Sequence, residues 1–297
     1  MEMFPTRIGP SFHGREYRIE DLVGEGFFGK VYKVRQEESH CASPLLRNQL
    51  LALKMYHYAS LSYQRPILDE IIQMMTIANS PHIASFFDRS PRGEKPEYMV
   101  MEYVPETMHT RLGQSSHTNV IHELVKLYLQ QMPVILETLW KAGMVHGDIT
   151  LPNIGIKEDC LKLLDFGLAK TSRFCRGDIP TKRIFYPPEA REGLITSTLD
   201  VYCAGKMLEY VLLRKYASSV QETIQNIEFL HDLTLPISWH KLFRGMLHSH
   251  FEKRARPQQL YQLSEKAVKD MGAFLFKDFV PLSKADLLPS SSSFLSG

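Results

Sequence analysis

Residues 119–143, NVIHELVKLYLQQMPVILETLWKAG, read as one long helix, with Pro133 tolerated or kinking it and Gly143 at its end. The character of the chain changes around this stretch. Before it, Tyr17 to Arg35 has the pattern of two strands about a glycine-rich turn, and residues 50–56 (LLALKMY) and 97–104 (EYMVMEYV) read as further strands. Between these, Ile67, Ile71, Met74, Met75 and Ala78 recur at helical spacing. After the long helix come apolar helical candidates at 199–217 and two more within 238–263. A β-rich part with one helix, followed by a helical part, predicts an α+β fold.

A length of 297 residues allows one or two domains and a large core. With 44% hydrophobic and 23% charged residues the composition is globular, which excludes collagen-like, largely disordered and disulfide-scaffold chains. Lys and Arg number 35 against 33 Asp and Glu, so the net charge of +2 points to neither nucleic acid nor a membrane surface. Cys41, Cys160, Cys175 and Cys203 form no CxxC pair, which argues for reduced thiols over a zinc site. The N-terminus lacks an apolar signal core and no run reaches 18 apolar residues, so a soluble, cytoplasmic protein without a membrane span is expected.

Chemistry enters with Gly24-Glu25-Gly26-Phe27-Phe28-Gly29-Lys30-Val31, a GxGxxGxV pattern. In dinucleotide folds such glycines open a helix, whereas here KVYKVR alternates like a strand, so the loop joins two strands. Glycines let the backbone approach phosphate oxygens and donate amides to them. Lys54, in the apolar strand Leu51-Ala52-Leu53-Lys54, needs a partner because an unpaired buried ammonium is costly. Glu70 on the following helix is preferred, since Met74 and Ile77 share its core-facing side while Asp69 lies about 100° around the helix.

His146-Gly147-Asp148-Ile149-Thr150-Leu151-Pro152-Asn153 follows the long helix, and Leu164-Asp165-Phe166-Gly167 places Asp165 17 residues after Asp148. An aspartate base, an asparagine five residues on and a later aspartate are the parts phosphoryl transfer requires. The base orients a hydroxyl, and Asn153 with Asp165 holds a divalent metal on the phosphates.

Together these motifs resemble those of eukaryotic-type protein kinases over roughly residues 17–270. Pro187-Pro188-Glu189 is similar to the APE motif, 24 residues after Asp165, and Asp200-Val-Tyr-Cys-Ala-Gly205 to the DVWSxG start of a central helix. The resemblance implies a bilobal fold with an N-terminal extension (1–16), an N-lobe (17–104), a C-lobe (105–270) and a partly flexible tail (271–297). It further implies ATP and Mg²⁺ (or Mn²⁺) as cofactors and an unidentified protein substrate. Glycine-loop residues Gly24, Glu25, Gly26, Phe28 and Gly29 would cover the nucleotide, and Val31, Ala52 and Gly155 would sandwich adenine. Met101 would stand as gatekeeper, with the Glu102 carbonyl and Val104 amide contacting the base. Lys54, Glu70, Asp148, Asn153 and Asp165 are the implied catalytic set, with Asn153 and Asp165 the metal ligands. Met74, Phe86, His146 and Phe166 map onto an apolar spine anchored by Asp200, and Arg256 is expected to pair with Glu189.

Three departures shape the expected function. Gly147 replaces the arginine of HRD, removing a cationic partner for an activation-loop phosphate, so activity without strict need of phosphorylation at Thr171, Ser172 or Thr181 is expected. Thr150 stands where serine/threonine kinases carry lysine, and Gly155 where the family carries leucine. These changes motivate a pseudokinase or nucleotide-binding scaffold as one alternative. The HGDIT text, similar to that of RIO-like and aminoglycoside-type kinases, motivates a small-molecule kinase as another.

Overall fold

The computed structural model describes residues 7–26, 29–37, 49–57, 64–91, 97–114, 118–171, 174–176, 185–213 and 235–271. They divide into two compact units, one formed by the chain up to Asn79 with Ile83–Val104, the other by Ser80–His82 with the chain from Pro105 onward.

The first unit is a six-stranded antiparallel sheet with one helix. Its strands are β1 (Arg7–Ile8), β2 (Tyr17–Gly26), β3 (Gly29–Gln36), β4 (Leu50–Tyr56), β5 (Phe86–Arg89) and β6 (Tyr98–Glu102), in the order β1-β2-β3-β4-β6-β5. Directly paired residues share a face of an antiparallel sheet. Register pairs Val31 with Lys54, Lys33 with Ala52, and Ala52 with Met101, so Val31, Ala52, Lys54 and Met101 lie on one face. The other face carries the core of Tyr17, Tyr32, Val34, Leu51, Leu53 and Val100. The segment before Tyr17 is built into this unit. β1 pairs with β2, and the buried Asp88 of β5 accepts hydrogen bonds from Ser11 Oγ at 2.6 Å and Tyr17 Oη at 2.8 Å, with His13 Nδ1 at 2.9 Å. Burial pushes the Asp88 carboxyl upward, but these bonds outweigh it and hold it below the ordinary value.

Helix α1 (Gln64–Thr76) buries Glu70, Ile71, Gln73, Met74 and Ile77 just past its end. Met75, expected on the core side, is instead 58% exposed beside Ile72. At 100° per residue the buried Glu70, Gln73, Met74 and Ile77 fall within one arc of about 100°, and Met75 lies about 100° beyond its Met74 edge.

The second unit is mainly helical: α2 (Met108–Gln114), α3 (Thr118–Lys141), α4 (Pro188–Arg191), α5 (Leu199–Leu213), α6 (Ile237–Met246) and α7 (Pro257–Asp270). Pro133 lies inside α3 without ending it. Every described side chain of α5 from Leu199 to Leu212 is buried, including the Lys206–Glu209 ion pair, so α5 is the axis of this unit. Tyr128 on α3 donates to Ala204 O at 2.6 Å, and Tyr261 on α7 donates to Glu137 on α3 at 2.8 Å. Two small sheets, β7-β8-β9 (Glu106–Thr107, Ile154–Lys157, Cys160–Leu163) and β10-β11 (Phe174–Arg176, Leu194–Thr196), complete it. Pattern reading misses both, because strands of two to four residues carry too few alternations to register.

Candidate active site

In the first unit, β2 and β3 run into the glycine turn with Gly24 opposite Val31 and Gly26 opposite Gly29. The three glycines have different reasons to be glycine. A Cβ on Gly29 would fall 1.9 Å from Met55 O, so the approach of β3 to β4 demands glycine there. A Cβ on Gly24 or Gly26 would meet nothing within 4 Å. Phe28 lies outside the described residues, and Glu25 is exposed with its carboxylate 3.7 Å from Lys30 Nζ.

Lys54, 4% exposed, donates to Glu70 Oε1 at 2.7 Å, and Tyr56 Oη donates to Glu70 Oε2 at 3.3 Å. The strand places the ammonium inside the unit, and α1 brings Glu70 inward while leaving Asp69 exposed. Such a pair stands because each charge offsets the other's desolvation. Met101 and Ala52 are buried and adjacent across the β4–β6 ladder. Glu102 N donates to Ser85 O at 2.7 Å, ending the sheet, and Val104 follows half-buried.

In the second unit, the loop after α3 is held from beneath. Asp200, at the start of α5, accepts His146 N at 2.7 Å and Gly147 N at 2.9 Å. Burial pushes the Asp200 carboxyl up to about 6, partly opposed by these two amides, and the nearby Asp148 charge raises it further. His146 is fully buried, its ring edge-to-face with Phe166 at 4.8 Å and its Nε2 3.1 Å from Leu164 O. Asn153 Nδ2 donates to both Asp148 O and Asp148 Oδ2 at 3.0 Å. Leu164 N donates to Asn153 O at 2.9 Å, tying the loop to the residue before Asp165. Asp165 has φ 55°, a left-handed conformation unusual for a residue with a side chain, and its Oδ1 accepts Gly167 N at 3.2 Å.

Gly147 has φ +74°, and a Cβ there would sit 3.2 Å from Leu168 O. The residue that departs from HRD therefore occupies a position where glycine is conformationally favoured. Thr150 is half-buried before the 3-10 turn Leu151–Asn153, and Gly155 is buried in β8, paired with Thr107 and Lys162. Thr171 is exposed, while Ser172 and Thr181 lie outside the described residues.

One pairing is corrected. Glu189 is held by Arg254, with Nη1–Oε1 at 2.7 Å and Nη2–Oε2 at 3.1 Å, and not by Arg256, which is exposed at the start of α7. Two arginines two residues apart look equivalent in KRARP. The 3-10 turn Phe251–Lys253 directs only the first inward. Tyr186, which sequence reasoning passed over, is fully buried with its hydroxyl on Gly147 O at 2.6 Å. Its aromatic neighbours in IFYPP resemble ordinary core, and no spacing rule singled it out.

The donor set of Asn153 and Asp165 suits a hard divalent cation. The Asn153 amide nitrogen is committed to Asp148, which leaves its oxygen as the ligating atom, and Asp165 adds a carboxylate. Two oxygen ligands completed by phosphates and water are what Mg²⁺ accepts. Among the described residues no group of three or more His, Cys, Asp or Glu is placed to hold a metal, and Cys160 and Cys203 are not joined in a disulfide. No described helix is long and apolar enough to cross a membrane.

Comparison with known proteins agrees with this arrangement. Among similar chains is a serine/threonine-protein kinase of Myxococcus xanthus (pkn3), 27% identical over 210 residues, covering 65% of this chain and 37% of the relative. The stress-activated protein kinase jnk-1 of Caenorhabditis elegans is 27% identical over 198 residues, covering 64% and 41%. The serine/threonine-protein kinase stk11 of Xenopus laevis is 28% identical over 266 residues, covering 83% and 60%. The chain thus spans about two-fifths to three-fifths of the length of these relatives. The protein kinase domain family model matches residues 17–268, so a chain that pairs Lys54 with Glu70 and suspends its HGD loop from Asp200 belongs to the protein kinase domain family.

Proposed function

We propose that the chain transfers the γ-phosphate of ATP to Ser or Thr hydroxyls of a protein substrate, with autophosphorylation and without strict need of activation-loop phosphorylation. The observation that carries this reading is the double hydrogen bond from Asn153 Nδ2 to Asp148. It fixes one carboxylate oxygen and orients the other, which is the requirement for a base that must meet a substrate hydroxyl. In the proposed reaction the hydroxyl oxygen forms a bond to the γ-phosphorus as the bond to the ADP oxygen breaks. Asp148 takes the hydroxyl proton.

Lys54, steadied by Glu70, would hold the phosphates, and the open space above Gly24 and Gly26 would let backbone amides approach them. Val31, Ala52 and Met101, on one face of the sheet, would bind adenine with Glu102 and Val104. Asn153 and Asp165 would hold Mg²⁺, which neutralises phosphate charge when bound. The Ser/Thr preference rests on the names of the relatives.

Thr150 favours a second reading, a nucleotide-binding scaffold with little turnover, because a cation that would stabilise the transferred phosphate is missing at that position. Incubation with labelled ATP separates the two. Asp148-dependent labelling of the protein supports the enzyme, and equal background from wild type and Asp148→Ala leaves the scaffold.

A further inference from the structure

We infer that Tyr186 is a positioning residue that holds the catalytic loop in place without phosphate. This deepens the kinase reading above and rests on it for its catalytic consequence. The phenol donates to Gly147 O at 2.6 Å, and the ring is fully buried. The same peptide unit ends in Asp148 N, which donates to His146 Nδ1 at 3.2 Å. One unit beforehand, Gly147 N donates to Asp200 Oδ1 at 2.9 Å. Both polar groups of the peptide that carries Asp148 are therefore occupied, one by Tyr186 and the other from within the loop, while Asp200 supports the preceding amide.

The far end of the tether is equally well fixed. Tyr186 stands three residues before Glu189, whose buried ion pair with Arg254 anchors α4, and Arg254 Nη1 also donates to Thr198 O at 3.1 Å. Phe185 packs edge-to-face on the Tyr186 ring at 5.3 Å, and its carbonyl lies 3.8 Å from Cys203 Sγ on α5. A neutral hydrogen bond thus connects a rigid anchor to the backbone beside the proposed base. Where an arginine in place of Gly147 would wait for a phosphate, the phenol needs no modification to reach its acceptor. Glycine contributes from the other side, since φ +74° turns the Gly147 carbonyl toward Tyr186 at little conformational cost.

Tyr186→Phe deletes the hydroxyl and keeps the ring. The purified variant should show kcat lowered by about tenfold, as expected for a lost positioning contact, with KM for ATP within about twofold of wild type. Hydrogen–deuterium exchange of the peptide spanning residues 144–150 should accelerate severalfold, while that of α5 stays unchanged. Unchanged exchange in residues 144–150 overturns the inference, whatever happens to kcat. So does a raised KM for ATP at unaltered kcat. If wild type shows no Asp148-dependent transfer, the kinase reading fails by itself, and the exchange result alone decides the tether.

Discussion

Arg254 and Glu189 form a two-point ion pair in the interior of the helical unit, Nη1 to Oε1 at 2.7 Å and Nη2 to Oε2 at 3.1 Å, with the arginine side chain fully buried. Removing one partner strands the other charge in a low-dielectric interior. Arg254→Ala is expected to lower stability by about 3–5 kcal/mol, and Arg256→Ala, at an exposed position, by under about 0.5 kcal/mol. Urea unfolding of the two variants checks the contrast, and equal losses would return the pairing to Arg256.

The glycine loop offers a second contrast. Gly29→Ala drives a Cβ to 1.9 Å from Met55 O and should impair folding, whereas Gly24→Ala meets no chain atom and should leave the melting temperature nearly unchanged. If the open space at Gly24 serves nucleotide, Gly24→Ala should weaken ATP binding severalfold, on the order of 1 kcal/mol for a lost close backbone approach. Calorimetric titration with ATP measures it, and intact affinity would assign Gly24 to the turn alone.

Gly147 carries a cost for any side chain. Gly147→Ala places a β-carbon in a left-handed conformation and 3.2 Å from Leu168 O, for a stability loss of about 1–2 kcal/mol. Restoring the family's arginine with Gly147→Arg should carry the same backbone penalty and therefore not stabilise the protein. A melting temperature above wild type in either variant would contradict the strain argument.

Asp200 ties stability to pH in an unusual direction. Its carboxyl is pushed from the ordinary 3.8 up to about 6 by burial, so the folded state holds a proton that the unfolded state has released between those values. This group's contribution is therefore full below about pH 4 and falls as pH rises toward 6, by on the order of 2–3 kcal/mol. Asp88, held below its ordinary value by hydrogen bonds, acts oppositely, losing its contribution as pH falls through its folded value. Denaturant unfolding between pH 4 and 6 should show a downward slope in wild type that Asp200→Asn lacks, and parallel slopes would remove Asp200 from the balance.

Motif chemistry was legible where a residue type and a spacing are dictated by local geometry. Lys54 with Glu70 follows from strand and helix phase, and Asp148 with Asn153 from one short loop. Those contacts span only 16 residues and five residues. Met75 shows where phase alone fails, because an apolar residue at the margin of a helical stripe goes inward or outward according to what the sheet presents.

By itself the sequence determined the α+β class, the family, the longer strands and helices and the identity of the candidate catalytic set, since these depend on periodicity and short-range spacing. Only the tertiary structure decided that Arg254 and not Arg256 reaches Glu189, that the segment before Tyr17 is bound through Ser11 to Asp88, and that Tyr186 holds the Gly147 carbonyl. Those contacts join residues 65, 77 and 39 positions apart. Which arginine or tyrosine is buried there depends on the path of the whole chain, because desolvation selects the one side chain that finds a complementary partner in the interior.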